Sequence, residues 1–422
     1  MSGFTITEKI LARAGGREKA RAGEIVDAAV DLAMTHDHQG PMTMLEFCRL
    51  PVKKVWDPSK VVMVIDHRTF SQTLKAAENH SLMRKFAREQ GIANFYEGGE
   101  GICHDLVAER GHVRPGMVFV ATDSHTVTAG ALGAFATGVG SSEMAALWAR
   151  GRIWLRLPET VRVNLVGRPG KGVYGKDIAL HLLGRVGTDG FNYRAVEFRG
   201  PGALSLSMDS RLSLCNMTLE MGAKNAIFPP DRVSLEYLRG RAGAPFSVID
   251  SDPDAVYDET MEIDLESLTP LVARPFSPDN IQTAAGAGAE GIAIDQAIIG
   301  TCTNGRYEDL EPAARILEGR RVAAGVRLLV VPATRDLWLR ASKEGILDIF
   351  AAAGAAVSFP CCGPCGAYGM GALTGEEVCI TTGSRNFVAR LGDPGARIYL
   401  GSAATVAASA VEGKIADPVK YL

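Results

Sequence analysis

No segment of the chain approaches the run of ~20 apolar residues that a membrane-spanning helix needs, which argues against a place in the bilayer. Positive charge is not in surplus: 45 Lys and Arg stand against 48 Asp and Glu, a formal net charge of −3. That balance argues against a broad basic surface for nucleic acid or anionic lipid. Eight cysteines in 422 residues are too few for a disulfide scaffold. Repeats with a period of ~20–50 residues are absent, as is any low-complexity tail. The N-terminus lacks the long apolar stretch of a secretory signal. Thr5 with Glu8 forms a capping box and Gly15 a stop, so a short amphipathic helix is expected there. A cytoplasmic location is the expectation.

What is present is the composition of a soluble globular protein, 46% hydrophobic and 22% charged. The length exceeds one ordinary core, so two or three domains are expected. Val61 to Ile65 and Met117 to Ala121 read as buried parallel strands, each ending in a polar tip, Asp66-His67 and Thr122-Asp123-Ser124-His125. Functional groups just past the carboxyl ends of strands are the layout of open α/β sheets. Helical periodicity runs from Leu74 to Gln90 and from Ser142 to Trp154. A second α/β unit is expected from Val161, with a helix from about Asp177 to Leu183. The stretch Leu271 to Gly291, rich in Pro, Ala and Gly, reads as a linker. A third unit opens at Ala297 and continues through strands at Val326 to Val331 and Arg397 to Leu400. The fold class is therefore α/β, divided as residues 1–160, 161–285 and 286–422.

The 47 glycines concentrate in tight loops beside His, Asp, Cys or Asn, where backbone N–H groups approach a ligand. Two such loops carry cysteines. Cys302 lies in Gly300-Thr301-Cys302-Thr303-Asn304-Gly305, and Cys361, Cys362 and Cys365 lie in Pro360-Cys361-Cys362-Gly363-Pro364-Cys365-Gly366. Three readings compete. A structural zinc site commonly wants two C-x-x-C knuckles, and one is present. A thioredoxin-type dithiol should open a helix, whereas Cys365 runs into Gly366-Ala367-Tyr368-Gly369. An iron–sulfur cluster on three cysteines would leave one iron open to act as a Lewis acid. Cys48, Cys103, Cys215 and Cys379 read as packed thiols.

Several motifs together resemble the aconitase and isopropylmalate isomerase family over nearly the whole chain. They are the Cys302 loop, Cys362-Gly363-Pro364-Cys365, Gly383-Ser384-Arg385-Asn386-Phe387-Val388-Ala389-Arg390, Thr122-Asp123-Ser124-His125-Thr126, Gly101-Ile102-Cys103-His104, and Cys215-Asn216-Met217 followed by Glu220-Met221-Gly222-Ala223. The resemblance implies three α/β/α domains around a [4Fe–4S] cluster held by Cys302, Cys362 and Cys365, with one iron not ligated by protein. It implies a large subunit whose mobile swivel domain, with the serine base, is a separate small subunit. The implied activity is hydro-lyase and isomerase chemistry on a small hydroxy acid. The leading substrate is isopropylmalate, moved from the 2- to the 3-isomer in leucine biosynthesis. Homoaconitate, 2-methylmalate and 2,3-dimethylmalate are the alternatives.

Hydroxide is a poor leaving group, so the reaction needs a Lewis acid and a proton donor. A carboxylate-paired histidine is such a donor. The family pattern carries over as three pairs: Asp66 with His67 near the leaving hydroxyl, Asp123 with His104, and Glu220 with His125. His36 falls at a substrate contact. Arg385 and Arg390 would clamp substrate carboxylates in forked hydrogen bonds. Asn216, Asn304 and Ser124 would hydrogen-bond cluster or substrate. His38, His80, His112 and His181 read as solvent or packing residues.

The sequence departs from the family at Ser384, usually Asn, and at Cys361, usually Gly. Two rival classes are a Cys-Gly-Pro-Cys dithiol oxidoreductase and a family member repurposed to bind RNA or sense iron; the missing basic tracts speak against the second. Gly170 to Asp177 nearly spells a phosphate-binding loop, but Asp177 stands where a hydroxyl is required. Asp177 is expected instead to cap the next helix.

Overall fold

The computed structural model describes residues 3–422. Continuous apolar runs make the buried strands. Val61–Val64 and Val118–Ala121 are buried at every position, as strands covered on both faces must be. With Leu32–His36, Asn94–Tyr96 and Phe135–Gly138 they form a parallel sheet in the order Asn94, Val61, Leu32, Val118, Phe135. The chain runs outward from Leu32–His36 in one direction, then returns to build the other side. The order therefore reverses between Leu32–His36 and Val118–Ala121, and a crevice opens at their carboxyl ends.

The second unit is a four-stranded parallel sheet of Asn225–Ile227, Ala195–Arg199, Thr160–Val166 and Glu259–Asp264. The third is seven-stranded. Its parallel part reverses order between Gln296–Ile299 and Val378–Thr381. A second crevice lies there, at the carboxyl ends that carry the Cys302 and Arg385 loops. One continuous apolar cluster reaches from Leu32 and Phe119 through Phe198 to Leu400, so the three units share a core.

Three expectations need correction. The supposed linker is structured: Leu271–Ala273 and Ile281–Thr283 are antiparallel edge strands of the third sheet, followed by the helix Ala284–Ala289. Strands of three residues carry too little pattern to stand out from a Pro- and Ala-rich background. The helix read as Ser142 to Trp154 is Ser141–Arg150; Gly151 ends it in the left-handed conformation, and Arg152–Arg156 pairs with Ile25–Ala29 in a two-stranded ribbon. Asp177 is not the N-cap but the third residue of the helix Gly175–Val186, and its carboxylate accepts the Tyr174 N–H. The N-terminal helix Ile6–Ala14 does carry the Thr5–Glu8 capping box and ends at Gly15.

Candidate active site

Three adjacent strands of the first sheet deliver the histidines. His36 ends Leu32–His36, His67 follows Val61–Val64, and His125 follows Val118–Ala121. From the second unit, the helix Met208–Thr218 and the turn Leu219–Met221 bring Asn216 and Glu220. The third sheet brings the cysteines and arginines. All converge on a cavity of about 510 Å³, lined by His36, His67, His104, Asp123, Ser124, His125, Cys302, Cys362, Cys365, Arg385 and Arg390.

Asp123 is the hub of the first half. Its carboxylate lies 2.8 Å from His104 Nε2, 3.6 Å from His36 Nε2, 3.6 Å from His125 Nδ1 and 3.7 Å from His67 Nε2. Burial works against its charge, but His104, His125 and His67 hold it well below the usual carboxylate range. His67 Nδ1 is 2.7 Å from Asp66. Burial alone would lower the His67 pKa; Asp66, Asp123 and Asp37 raise it well above 6.5. His36 stacks on it at 4.0 Å. Burial, then the neighbouring His67, pushes His36 down to about 4, so the two stacked rings are shifted in opposite directions.

His125 Nε2 lies 2.8 Å from Glu220, whose carboxylate also accepts Arg385 Nε at 2.9 Å. Burial opposes both charges; the pairing overrides it, raising His125 and lowering Glu220. Arg385 also reaches Ser124 Oγ at 3.4 Å. Asp66, Glu220 and Asn216 do not line the cavity themselves but stand behind residues that do.

The three cysteines face one another across the loops. Asn216 Nδ2 donates to Cys302 Sγ at 3.3 Å, and Arg390 Nη2 to Cys365 Sγ at 2.8 Å. Burial and the nearby Cys365 push the Cys302 thiol well up, and the hydrogen bond to Cys365 does the same to Cys362. That bond, with Arg390, holds Cys365 well below the ordinary thiol range. The Cys362 N–H donates to the Asp66 carbonyl at 2.8 Å, joining the sulfur loop to the histidine loop. Gly363–Cys365 is a single 3-10 turn with no α-helix after it.

Several residues stand apart from the expectations. Asn304 is not in the cavity; its amide nitrogen serves Ser213 and Asp309. Cys48 is exposed, whereas Cys103, Cys215 and Cys379 are buried as expected. His80 is no bystander: it is buried, with Nε2 2.9 Å from Asp37. Lys176, passed over in the near-miss phosphate loop, is fully buried and donates to the Thr382 and Gly383 carbonyls at the base of the arginine loop. Its partners lie 206 and 207 positions away, beyond the reach of local pattern. Cys361 is buried, and burial pushes its thiol up to about 12.

A doubly wound scaffold that gathers three thiols, carboxylate-paired imidazoles and two guanidinium groups at one cavity defines a class: enzymes that do acid–base chemistry on small anions. The chain belongs to the aconitase family (aconitate hydratase), whose pattern it matches at residues 8–285 and 280–413, and it is a hydro-lyase. It is 50% identical over 420 residues, with all of both chains covered, to the 3-isopropylmalate dehydratase large subunit 1 of Methanopyrus kandleri. It is 47% identical to a probable methanogen homoaconitase large subunit of Methanothermobacter thermautotrophicus, over 98% of this chain and 97% of that one. The structure of aconitase X from Thermococcus kodakaraensis shares the fold, with a TM-score of 0.51, 14% identity and 92% of each chain covered. No helix among the described residues is long and apolar enough to cross a membrane.

Proposed function

We propose that the chain is the large subunit of a dehydratase that interconverts 2-isopropylmalate and 3-isopropylmalate. The observation that carries this is the convergence of Cys302, Cys362 and Cys365 with three carboxylate–imidazole pairs and two arginines on one cavity. The donor set fits a cluster: three thiols line one cavity, and Arg390, whose Nη2 reaches Cys365 Sγ, keeps its Nε buried without a protein partner. Cys302, Cys362 and Cys365 would hold a [4Fe–4S] cluster, which supplies Lewis acidity at the iron that no protein group ligates.

The chain's own groups would do the rest. Arg385 and Arg390 bind the substrate carboxylates in forked hydrogen bonds. His67, protonated because three carboxylates surround it, gives a proton from Nε2 to the departing hydroxyl and recovers it on rehydration. Asp66 fixes its tautomer at Nδ1. His125, held by Glu220, orients the water that returns. The carbon-bound proton needs a base, and Asp123, the carboxylate at the centre of the cavity's histidines, is already engaged by four imidazoles. The base would come from a small subunit carrying the swivel domain and its serine, which closes the open side of the cavity. A cytoplasmic location belongs to the same reading, since thiols that hold a cluster must stay reduced.

A dithiol oxidoreductase fits less well. Its first cysteine should have the lowered pKa and a helix behind it. Here Gly363–Cys365 is a single 3-10 turn and no α-helix follows. Among substrates, homoaconitate is favoured next by the 47%-identical relative. The test is anaerobic reconstitution with the small subunit and assay of isopropylmalate, homoaconitate, 2-methylmalate and 2,3-dimethylmalate. Fastest turnover of isopropylmalate is expected; a colourless protein with reversible Cys362–Cys365 oxidation would overturn the proposal.

A further inference from the structure

Asp37 does not itself line the cavity, yet every acceptor site of its carboxylate is taken. Oδ1 accepts the backbone N–H groups of Asp66 at 3.1 Å and His67 at 2.9 Å. Oδ2 accepts the N–H of Arg68 at 2.8 Å and Nε2–H of His80 at 2.9 Å. A carboxylate has about four lone-pair positions, and four donors occupy them. Ligand atoms of His36, Asp37, Asp66 and His67 lie within 4.8 Å of one another, but a cation there would have to displace these donors from Asp37. The cluster is therefore an organising centre rather than a cation site.

His80 comes from outside the strand-end loops, on the helix Leu74–Gln90. Its Nδ1 lies 2.8 Å from Ser71 Oγ, which fixes the ring from the other side. The Asp37 side chain is fully buried and that of His80 nearly so, so water is not at hand to replace either bond. Three consecutive amides bent onto one carboxylate set the backbone path of residues 66–68, and that path aims both Asp66 and His67.

We infer that Asp37 and His80 are a positioning pair, through which the helix Leu74–Gln90 locks the loop that carries the proton donor. The inference rests on the proposed dehydratase function and adds a residue outside the cavity to its machinery. Neither residue touches substrate; both act through His67. Because misplacement of a catalytic group by ~1 Å can cost ~10²-fold, loss of the pair should appear in kcat. KM, set by Arg385 and Arg390, should stay.

The test uses the anaerobically reconstituted complex with its small subunit. His80→Leu is expected to lower kcat about 10- to 100-fold with KM within about twofold and cluster absorbance unchanged. His80→Gln, whose amide can donate from a similar reach, is expected to restore most of kcat. The ¹⁵N resonances of the His67 ring should shift in His80→Leu and return in His80→Gln. Wild-type kcat in His80→Leu, a loss that Gln does not rescue, or a loss that tracks cluster content would each overturn the pair. Should His80→Leu fail to fold, Ser71→Ala carries the test: lowered kcat with shifted His67 resonances supports the pair, and no change in either rejects it. A wild-type complex inactive on all four acids rejects the dehydratase function itself, whereas an active wild type matched by His80→Leu rejects only the positioning role.

Discussion

His125 Nε2 and the Glu220 carboxylate lie 2.8 Å apart, with Arg385 on the far side of the same carboxylate at 2.9 Å. One anion thus holds together an imidazole and a guanidinium, the groups proposed to orient water and to bind a substrate carboxylate. Glu220→Gln keeps the shape but removes the charge that raises His125. Turnover should fall by about 10²–10⁴-fold, the usual worth of a positioned proton carrier, with cluster absorbance intact. Steady-state assays beside visible spectra check both parts.

The sulfur and imidazole halves should separate by colour. Cys302→Ala, Cys362→Ala or Cys365→Ala is expected to lose chromophore and activity together, whereas His67→Ala loses activity and stays brown. A cysteine variant that retains turnover would sink the proposed mechanism.

Arg385→Lys keeps a positive charge but gives up the fork. Losing a charged hydrogen bond of about 1.5–3 kcal/mol should raise KM by about 10- to 100-fold. Glu220 also loses its Nε–H partner, so a smaller fall in kcat should accompany it. Initial rates over a range of hydroxy-acid concentrations separate the two effects.

Asp309 is buried, and burial pushes its pKa up to about 7 from the usual 3.8. Asp177 and Glu109 also rise to about 7 through burial. The folded state then holds protons more tightly than the unfolded chain. The stabilisation from these groups is complete below about pH 4 and is lost as pH rises through about 7. Asp123 and Glu220, whose pKa values are lowered, act oppositely: their contribution is present above about pH 4.5 and lost in acid. Urea unfolding at intervals from pH 5 to 8 should show a downward slope that Asp309→Asn makes shallower.

Gly130 sits in the 3-10 segment Ser124–Leu132 against the strand Asn225–Ile227, and a methyl group there would overlap the Ala226 carbonyl oxygen. Gly130→Ala should cost about 1–3 kcal/mol from overpacking. Since the same segment begins at Ser124 and His125, activity should fall with the unfolding midpoint.

Val61–Val64 and Val118–Ala121 are legible in the sequence because a strand buried on both faces is written as an unbroken apolar run. Leu74–Gln90 is legible because its period and its terminal glycine agree. Leu271–Ala273 and Ile281–Thr283 are not: each is three residues long and is made a strand by the sheet edge it joins. The cavity residues are written locally, as acids, histidines and cysteines crowded into glycine loops. The groups that hold those loops are not. His80 means nothing until Asp37, 43 positions earlier, is beside it. Lys176 and the buried ion pair of Arg306 with Asp105 are likewise products of tertiary packing.

The backbone bond from Cys362 N–H to the Asp66 carbonyl ties a loop of the third sheet to a loop of the first, and it gives the two loops a common fate. A disturbance of the thiol-bearing turn is transmitted to the imidazole-bearing one without passing through any reactant. Movement of the turn Gly363–Cys365 is therefore felt at Asp66 and His67 through the main chain alone.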